Sequence, residues 1–331
     1  MPELVSTTTG IYPLPDWAKR SLEDVKGHQK HDLIDGTEGE AVVDVYDRAR
    51  AEVVEQQLEA GIDLQVEGQL RWDDMLAHPL AVADAVETRG IVRYYNNNNF
   101  YREPVVTGAL EASGDVAAEL DAAAEHADSL AGVLPGPYTL AELATDEHYG
   151  DEASFLDGIA SFLAAEVAQF PDLDLLQLLE PSLVTSPPAD GVDERVSAAI
   201  DQIADAIDAE VTVQPVYGAF EDRTYAHILD AGVDAVGFDL ISAPDDSVYL
   251  AQEYGATDDV VLGLVDGANT LVESPETIRD RVEWFQDQTP AATYGRIYAT
   301  ANTDLFFLPT NRFGEKLAAL GEATATTEVQ A

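Results

Sequence analysis

Hydrophobic runs of strand length alternate along this chain with longer segments of helical periodicity. The candidate strands are Leu4–Thr9, Ile62–Glu67, Ile91–Tyr95, Leu130–Leu134, Leu175–Leu179, Val211–Val216, Ala235–Leu240, Val260–Val265 and Leu305–Leu308. The candidate helices are Gly39–Ala60, Asp115–Asp128, Asp151–Gln169, Asp193–Ala209, Thr224–Ala231, Ser247–Glu253 and Ser274–Gln286. Repeated strand-then-helix order requires parallel strands, and eight such units close a barrel. The pattern therefore predicts a single α/β (βα)8 TIM barrel.

One candidate strand is surplus to a barrel of eight. We expect Ile91–Tyr95, with residues 96–102, to form an excursion hairpin outside the barrel. Thr224 and Ser274 occupy positions typical of helix N-caps, and Pro275 follows Ser274 at the first helical position. We expect one domain over residues 1–320, followed by a disordered tail over residues 321–331.

Charge adds a second constraint. The 331 residues include 63 acidic and 17 basic side chains, for a net charge of −46. Acids are spread along the predicted helix faces, and such a coat repels itself at ordinary salt. Molar salt shortens the Debye length to about 3 Å and makes the coat tolerable. We therefore expect a protein of the salt-rich cytoplasm of a halophile. A cation- or base-binding surface is the alternative interpretation.

Several partners and locations are disfavoured by the sequence. Nucleic-acid binding is not expected, because no basic stripe exists. No apolar run reaches the length of about 18 residues that a membrane span needs, and the N-terminus lacks the pattern of a signal peptide. The chain has no cysteine, which excludes disulfides, thiolate zinc ligands and cysteine nucleophiles. Its six histidines show no metal-ligand spacing, and no catalytic acid–base pair can be assigned.

Polar residues stand where several predicted strands end, as in the active sites of parallel barrels. The candidate ligand-binding residues are Gln214, Asp239, Asp266, Asn269 and Glu180. Gln214 either faces a ligand or marks a strand end, and Asp239 either faces a ligand or pairs with an arginine. Asp266 and Asn269 either contact a ligand or form a turn. Glu180 either binds a ligand or fixes the loop after its strand.

Two further segments carry candidate chemistry. Gln69 follows the second predicted strand, and Arg71 nearby is either an anion contact or, as we favour, the partner of a carboxylate. The run of four asparagines that contains Asn98 is flanked by aromatic residues, among them Tyr101. This run is either an exposed loop or the hydrogen-bonding tip of a lid.

Seven short motifs at strand ends occur in one order, and their order and spacing resemble the cobalamin-independent methionine synthase family. The motifs lie at Thr7–Pro13, Glu67–Gln69, Gly136–Thr139, Gln177–Pro181, Gln214–Gly218, Asp266–Asn269 and Leu308–Asn311. The resemblance covers most of residues 4–320. Full-length members of that family carry two related (βα)8 barrels, of which the C-terminal one holds zinc.

The residues that resemble the zinc barrel's motifs differ from them in kind. Gln214 stands at the zinc-ligand histidine, Val216 at the first ligand cysteine, Asp239 at the ligand glutamate and Asn311 at the last ligand cysteine. Gln69 stands at a glutamate that helps to hold homocysteine. The resemblance therefore implies no metal site and no zinc bound through the usual cysteine and histidine set.

Several segments are more similar to the family's N-terminal, zinc-free barrel. They include the stretch aligned on Asn98, Tyr101 and Pro104, and the segment Leu264–Asn269. That barrel braces the catalytic one and helps to hold the polyglutamate tail of the folate. The resemblance thus implies a split methionine synthase. A zinc-bearing partner chain would then complete methyl transfer from 5-methyltetrahydrofolate to homocysteine.

Two alternatives stay open at the level of sequence. One is a stand-alone, metal-free methyltransferase or lyase, which predicts turnover by the isolated chain. The other is a non-catalytic scaffold for the partner barrel. The scaffold predicts that substitutions at Gln214, Asp239 and Asp266 leave the rate of the assembly unchanged.

Overall fold

A computed structural model describes residues 2–23, 39–72, 77–93, 95 and 101–325, and it contains a parallel barrel. The strands in chain order are β1 Glu3–Ser6, β2 Gln65–Val66, β3 Val86–Val92, β4 Tyr101–Val106, β5 Leu130–Pro135, β6 Thr145–Asp146, β7 Leu175–Leu179, β8 Glu210–Gln214, β9 Ala235–Asp239, β10 Asp259–Val265 and β11 Arg296–Ala301. The helices are α1 Asp16–Ser21, α2 Glu40–Ala60, α3 His78–Ala81, α4 Asp115–Ala124, α5 Pro137–Leu143, α6 Glu152–Val167, α7 Pro181–Thr185, α8 Asp193–Ala204, α9 Asp222–Leu229, α10 Pro244–Tyr254, α11 Pro275–Gln288 and α12 Thr310–Thr324.

Eight strands form one parallel sheet in the order β1, β11, β10, β9, β8, β7, β5, β2. Its two outer strands meet, because Leu64 N donates to Ser6 O at 3.0 Å and Ser6 N donates to Asp63 Oδ2 at 2.8 Å. The sheet thereby closes on itself, and the predicted (βα)8 barrel is confirmed.

Side chains alternate between the barrel interior and the helix layer, as the two-residue period of a strand requires. Phe238 of β9 faces outward, where its ring packs against Phe285 of α11 at 5.1 Å and Tyr225 of α9 at 5.9 Å. Its neighbour Asp239 therefore faces inward. The same alternation places Thr212 and Gln214 of β8 inside the barrel and Val213 against the helices.

The last barrel strand is not the predicted one. The sequence pattern places it at Leu305–Leu308, whereas the structure has β11 at Arg296–Ala301 and a turn at residues 305–308. Arg296 and Tyr298 point inward and hydrogen-bond to Glu210 across the bottom of the barrel. The polar interior breaks the apolar run by which a buried strand is recognised.

Three smaller predictions about helix ends have different outcomes. Ser274 caps α11, since its side chain accepts a hydrogen bond from Thr277 N at 3.1 Å, and Pro275 begins the helix. The prediction for Thr224 is wrong, because α9 begins at Asp222 and Thr224 lies inside it. Helix α12 continues through Thr324, so that the predicted boundary of the tail at residue 321 comes too early. Residues 326–331 lie outside the described residues.

The excursion hairpin is confirmed. Strands β3 and β4 pair in antiparallel orientation, and β6 joins β4 to make a separate three-stranded sheet. The first strand begins at Val86, five residues before the predicted start at Ile91. None of the helices among the described residues combines the length and the hydrophobicity of a membrane span.

Candidate functional site

The carboxyl ends of the barrel strands meet at one mouth, where enzymes of this architecture keep their chemistry. Gln214, Glu180 and Asp239 lie at the ends of β8, β7 and β9, and all three are buried. Asp266 follows β10 directly, and Gln69 lies in the loop after β2. The fold thus gathers the predicted strand-end residues at one face, but their side chains have different uses.

Gln214 reaches across the barrel. Its Nε2 donates to the backbone oxygen of Ala301 on β11 at 3.1 Å. Its Oε1 is buried and has no hydrogen-bond partner in the described part of the chain. Gly237 makes room for this conformation, since a Cβ there would stand 3.0 Å from Gln214 Cγ. Gln214 therefore keeps one acceptor atom uncommitted, and its ligand-binding role stays a prediction.

Asp239 organises the loop that follows its own strand. Its Oδ1 accepts hydrogen bonds from Ile241 N at 2.9 Å and Ser242 N at 2.8 Å, and its Oδ2 accepts one from Asn302 Nδ2 at 3.3 Å. Burial raises the pKa of the carboxyl. Asn302 also accepts a hydrogen bond from Gly267 N at 3.1 Å. One amide at the end of β11 thus links the loops after β9 and β10. Within the described residues, no arginine forms an ion pair with Asp239, so the alternative of a pairing with an arginine is wrong.

Asp266 and Asn269 form consecutive turns in the loop after β10. Asp266 Oδ1 accepts from Ala268 N at 3.0 Å, and Asn269 Oδ1 accepts from Leu271 N at 2.9 Å. Such side-chain-to-backbone bonds two residues on are the usual chemistry of Asp and Asn in turns. Asn269 is exposed. The turn interpretation accounts for both residues, and contact with a ligand stays a prediction.

Glu180 fixes the neighbouring loop. Its carboxylate accepts hydrogen bonds from Tyr138 N at 3.0 Å, Thr139 N at 2.8 Å and Thr139 Oγ1 at 2.6 Å. These are donors in the first turn of α5, where backbone N–H groups lack intrahelical partners. Burial raises the pKa of Glu180 to about 7 although these three bonds favour the charged form. Of the two uses that the sequence left open, the structure supports loop fixation.

A methyl group at Gly136 tests this contact between loops. A Cβ there would lie 2.2 Å from Glu180 Oε1 and 2.3 Å from its Cδ, so that Gly136→Ala must displace the carboxylate from the helix start. We expect the substitution to lower the free energy of unfolding by about 1–3 kcal/mol, measured by denaturant unfolding in molar KCl. Gly90→Ala is the matched control, because nothing lies within 4 Å of a Cβ at Gly90. Equal stability of the two variants would contradict the prediction.

Gln69 braces three strand ends and leaves no side-chain atom uncommitted. Its Oε1 accepts from Ile11 N at 2.9 Å, and its Nε2 donates to Val133 O at 3.0 Å. Its backbone adopts a φ of 51°, and Gly10 opposite has a φ of 75°. A Cβ at Gly10 would lie 2.4 Å from Gln69 Oε1, so the loop after β1 needs glycine for space as well as for conformation.

A buried ionic cluster also follows β2. Arg71 Nη1 lies 2.6 Å from Asp115 Oδ1, and His78 Nε2 lies 2.9 Å from Asp115 Oδ2. The interpretation of Arg71 as the partner of a carboxylate is therefore confirmed. Glu67 is buried close by, and burial, together with the charge of Glu119, raises its pKa to about 8.

The excursion hairpin reaches the mouth through Tyr95. This side chain is buried, its hydroxyl lies 2.8 Å from Ser182 Oγ, and its ring centre lies 5.4 Å from that of Tyr217. Asn98 lies outside the described residues, and of Tyr101 only the position in β4 is described. A lid formed by this hairpin stays a prediction.

The sequence pattern does not identify two residues of the mouth, and it includes a third without giving it a role. Asn302 and Asp304 follow β11, and burial raises the pKa of Asp304 to about 6. The sequence pattern places the last strand at Leu305–Leu308, beyond both residues, and therefore does not mark them as strand-end positions. Glu67 opens one of the strand-end motifs but is not among the candidate site residues, although a lone carboxylate at the end of an apolar run is itself a signal.

The four positions at which the resemblance expects zinc ligands do not fit zinc. Val216 offers no donor atom, and Gln214 is a poor zinc ligand. Asp239 already accepts two backbone hydrogen bonds, and Asn311 is exposed in the first turn of α12. Within the described residues, no group of three or more His, Cys, Asp or Glu side chains could hold a metal ion.

Comparisons with known proteins show the family to which the chain is similar. The family model described as the catalytic domain of cobalamin-independent synthase matches residues 4–301. A methionine synthase of Saccharolobus solfataricus is 22% identical over 333 residues, which cover 98% of this chain and 95% of the relative. One from Sulfolobus acidocaldarius is 24% identical over 297 residues, which cover 86% of this chain and 83% of the relative.

Two solved structures share the fold. The B12-independent methionine synthase of Shewanella sp. W3-18-1, in complex with selenomethionine, superposes with a TM-score of 0.78 at 18% identity. That alignment covers 97% of this chain and 96% of the other. A putative vitamin-B12-independent methionine synthase of Listeria monocytogenes gives a TM-score of 0.71 at 16% identity, with 98% of each chain covered.

Proposed function

The chain belongs to the cobalamin-independent synthase family, and from this premise we propose that it acts in methyl transfer to homocysteine as the zinc-free barrel of a two-chain methionine synthase. The methyl donor in this proposal is 5-methyltetrahydrofolate with its polyglutamate tail. The partner is a second barrel that carries the zinc. The setting is a salt-rich cytosol, in which a net charge of −46 is tolerable.

The residues at the four expected zinc positions give the strongest support for a reaction shared between two chains. The residues at the expected zinc positions are an amide, an apolar side chain, a carboxylate committed to its own loop and an exposed amide: Gln214, Val216, Asp239 and Asn311. A thiol substrate needs a metal or a base to become a nucleophilic thiolate at neutral pH. That activation is therefore assigned to the partner chain.

The chain's own contribution is positioning. Glu180 and Gln69 tie neighbouring loops together, and Asn302 links two more, so that the mouth is a rigid surface. Rigid placement of two reactants can supply several kcal/mol of a barrier without any chemistry by the positioning residues. The turn at Asp266, in the loop after β10, offers acceptor oxygens at the mouth to the donor or the partner.

The test is methionine formation from homocysteine and 5-methyltetrahydrofolate in molar KCl with zinc supplied. We expect the isolated chain to be inactive and to retain no stoichiometric zinc after dialysis, measured by mass spectrometry of the metal. We expect the mixture with the zinc-bearing barrel of the same cell to be faster than that barrel alone. Turnover by the isolated chain would overturn the proposal.

Variants of the mixture separate positioning from scaffolding. Asp239→Asn keeps the size of the side chain but removes its charge, and it can place an NH2 donor where Oδ2 accepts a hydrogen bond from Asn302 Nδ2. We expect a lower rate with this variant, at unchanged assembly measured by sedimentation. An unchanged rate with Asp239→Asn and with Gln214→Leu would favour the non-catalytic scaffold instead.

A further inference from the structure

Six oxygen atoms inside the barrel are buried and have no hydrogen-bond partner within the described residues. They belong to four threonine hydroxyls and two glutamine amides, at Thr7, Thr9, Thr212, Thr300, Gln177 and Gln214. All six residues are at most 1% exposed. The interior of a TIM barrel is ordinarily filled by layers of branched apolar side chains. A polar interior of this kind needs a partner for its oxygens.

Five of these oxygens belong to the wall formed by β1 and β11 or to a glutamine whose amide nitrogen reaches that wall. Thr7 and Thr300 lie side by side there, because Ser6 pairs with Ala299 and Thr7 N donates to Ala299 O at 3.0 Å. Thr9 follows two residues later on the same chain segment. Thr212 belongs to β8, on the opposite wall, where it pairs with Gln177 in the strand register.

Both glutamines bring their amide groups to the β1–β11 wall from across the barrel. Gln177 Nε2 donates to Thr8 O at 2.8 Å, and Gln214 Nε2 donates to Ala301 O at 3.1 Å. Within an amide, the oxygen lies about 2.3 Å from the nitrogen. Each Oε1 therefore lies within about 5–6 Å of the backbone oxygen that its Nε2 contacts, and these backbone oxygens belong to residues next to Thr7, Thr9 and Thr300 in the chain.

The partner of these oxygens must either donate hydrogen bonds, as water does, or carry a positive charge. The glutamine nitrogens are engaged, so that the oxygens left over can only accept, and the hydroxyls can turn to accept as well. Leaving a buried polar group without a partner costs about 1–3 kcal/mol, and five such groups in one place make an unpartnered state costly. These oxygens make no hydrogen bonds to one another within the described residues, and one guest that contacts several of them would satisfy them together.

We propose that this wall binds a dehydrated monovalent cation, of the size of potassium, through Gln177 Oε1, Gln214 Oε1 and the hydroxyls of Thr7, Thr9 and Thr300. Uncharged oxygens suit a large monovalent ion, whereas Mg²⁺ and Ca²⁺ are held by sites that include carboxylates. The net charge of −46 lowers the cost of placing a cation inside. A site without a carboxylate is weak, yet molar potassium fills a site with a dissociation constant of about 0.1 M almost completely.

Crystallography with a heavier ion tests the assignment. Crystals grown in KCl are transferred to RbCl, and data are collected at the rubidium absorption edge. We expect an anomalous peak inside the barrel, in contact with Gln177 Oε1 and Thr300 Oγ1. No internal peak, with density that refines as water, would overturn the proposal. Peaks confined to surface carboxylates would mean an adventitious ion only, and would overturn it as well.

Two isosteric variants make the test specific. Thr300→Val removes one proposed ligand, and we expect it to reduce the anomalous peak by about half or more. Thr212→Val removes an unpartnered hydroxyl of equal burial from the opposite wall, and we expect the peak to remain. Equal peaks in the two variants would overturn the ligand set.

A solution measurement covers the case in which crystals do not survive transfer. The thermal midpoint is measured in KCl and in LiCl of equal ionic strength, for the wild type and for Thr300→Val. Lithium is too small for five such oxygens, while surface screening is common to both proteins. We expect the difference between the salts to be larger for the wild type. Equal differences would contradict an internal potassium site, and neither result depends on the methyl-transfer proposal.

Discussion

Replacement of Lys316 by methionine is expected to lower the free energy of unfolding by about 3 kcal/mol. The ammonium group of Lys316 is buried, and it lies 2.6 Å from Leu271 O and 2.7 Å from Glu273 Oε2. Methionine fills a similar volume but leaves the Glu273 carboxylate, which is only 8% exposed, without its close cation. The estimate stands at the low end of the range for a broken buried pair because Arg281 Nη1 remains 3.7 Å from Glu273 Oε1.

Denaturant unfolding in molar KCl measures this loss. Lys19→Met is the matched control, because Lys19 is half exposed and lies 3.7 Å from Asp16, and such pairs contribute at most about 1 kcal/mol. Adding Glu273→Gln to Lys316→Met removes the stranded charge and should restore part of the stability. A double variant less stable than Lys316→Met would show that the cost arises from packing, in contradiction to the argument.

We also expect the free energy of unfolding to fall as the pH rises through the pKa of Glu67. Burial comes first among the causes that raise the pKa of this carboxyl to about 8, and the charges of Glu119 and Asp115 add to it. Hydrogen bonding from Gln69 N and the nearby Arg50 oppose the shift. The folded state therefore holds a proton that the unfolded chain, with an ordinary glutamate pKa near 4.5, has released.

Proton linkage makes the stability of the folded state decrease as the pH rises. Between pH 4.5 and about 8 the folded state binds more protons, so that stability is greatest below the unfolded pKa and is lost as pH rises. Glu67→Gln removes this pH-dependent contribution to the free energy of unfolding. From pH 6 to pH 9 the free energy of unfolding of the wild type should fall by about 2–3 kcal/mol relative to that of the variant, since one pKa unit corresponds to about 1.4 kcal/mol.

Unfolding free energies at pH 6 and pH 9, both in molar KCl, test this expectation. Glu55→Gln removes one carboxylate from the exposed face of α2 and serves as the control for the general relief of acidic repulsion. The gain with pH should be specific to Glu67→Gln. A gain of equal size in both variants would assign the effect to net charge and would contradict a buried, protonated Glu67.

The predicted fold followed from the sequence because its signal is local. Strand β7 occupies the predicted Leu175–Leu179, and α11 begins after the predicted cap at Ser274. Strand β11 was missed because Arg296 and Tyr298 face inward and interrupt its apolar pattern. The apolar run at Leu305–Leu308 was misleading, since two of its residues, Phe306 and Phe307, are more than 40% exposed.

The sequence by itself determined the barrel, the acidic surface, the lack of thiolate ligands and the residues at the strand ends. Only the tertiary structure decided what those residues contact, because their partners lie far away along the chain. Glu180 meets Thr139, 41 residues earlier, and Gln177 meets Thr8, 169 residues earlier. A carboxylate or an amide at a strand end looks the same in sequence whether it faces a ligand, braces a loop or crosses the barrel. Closure of the sheet brings residues that are distant in sequence close together, and this proximity decides which partner each side chain contacts.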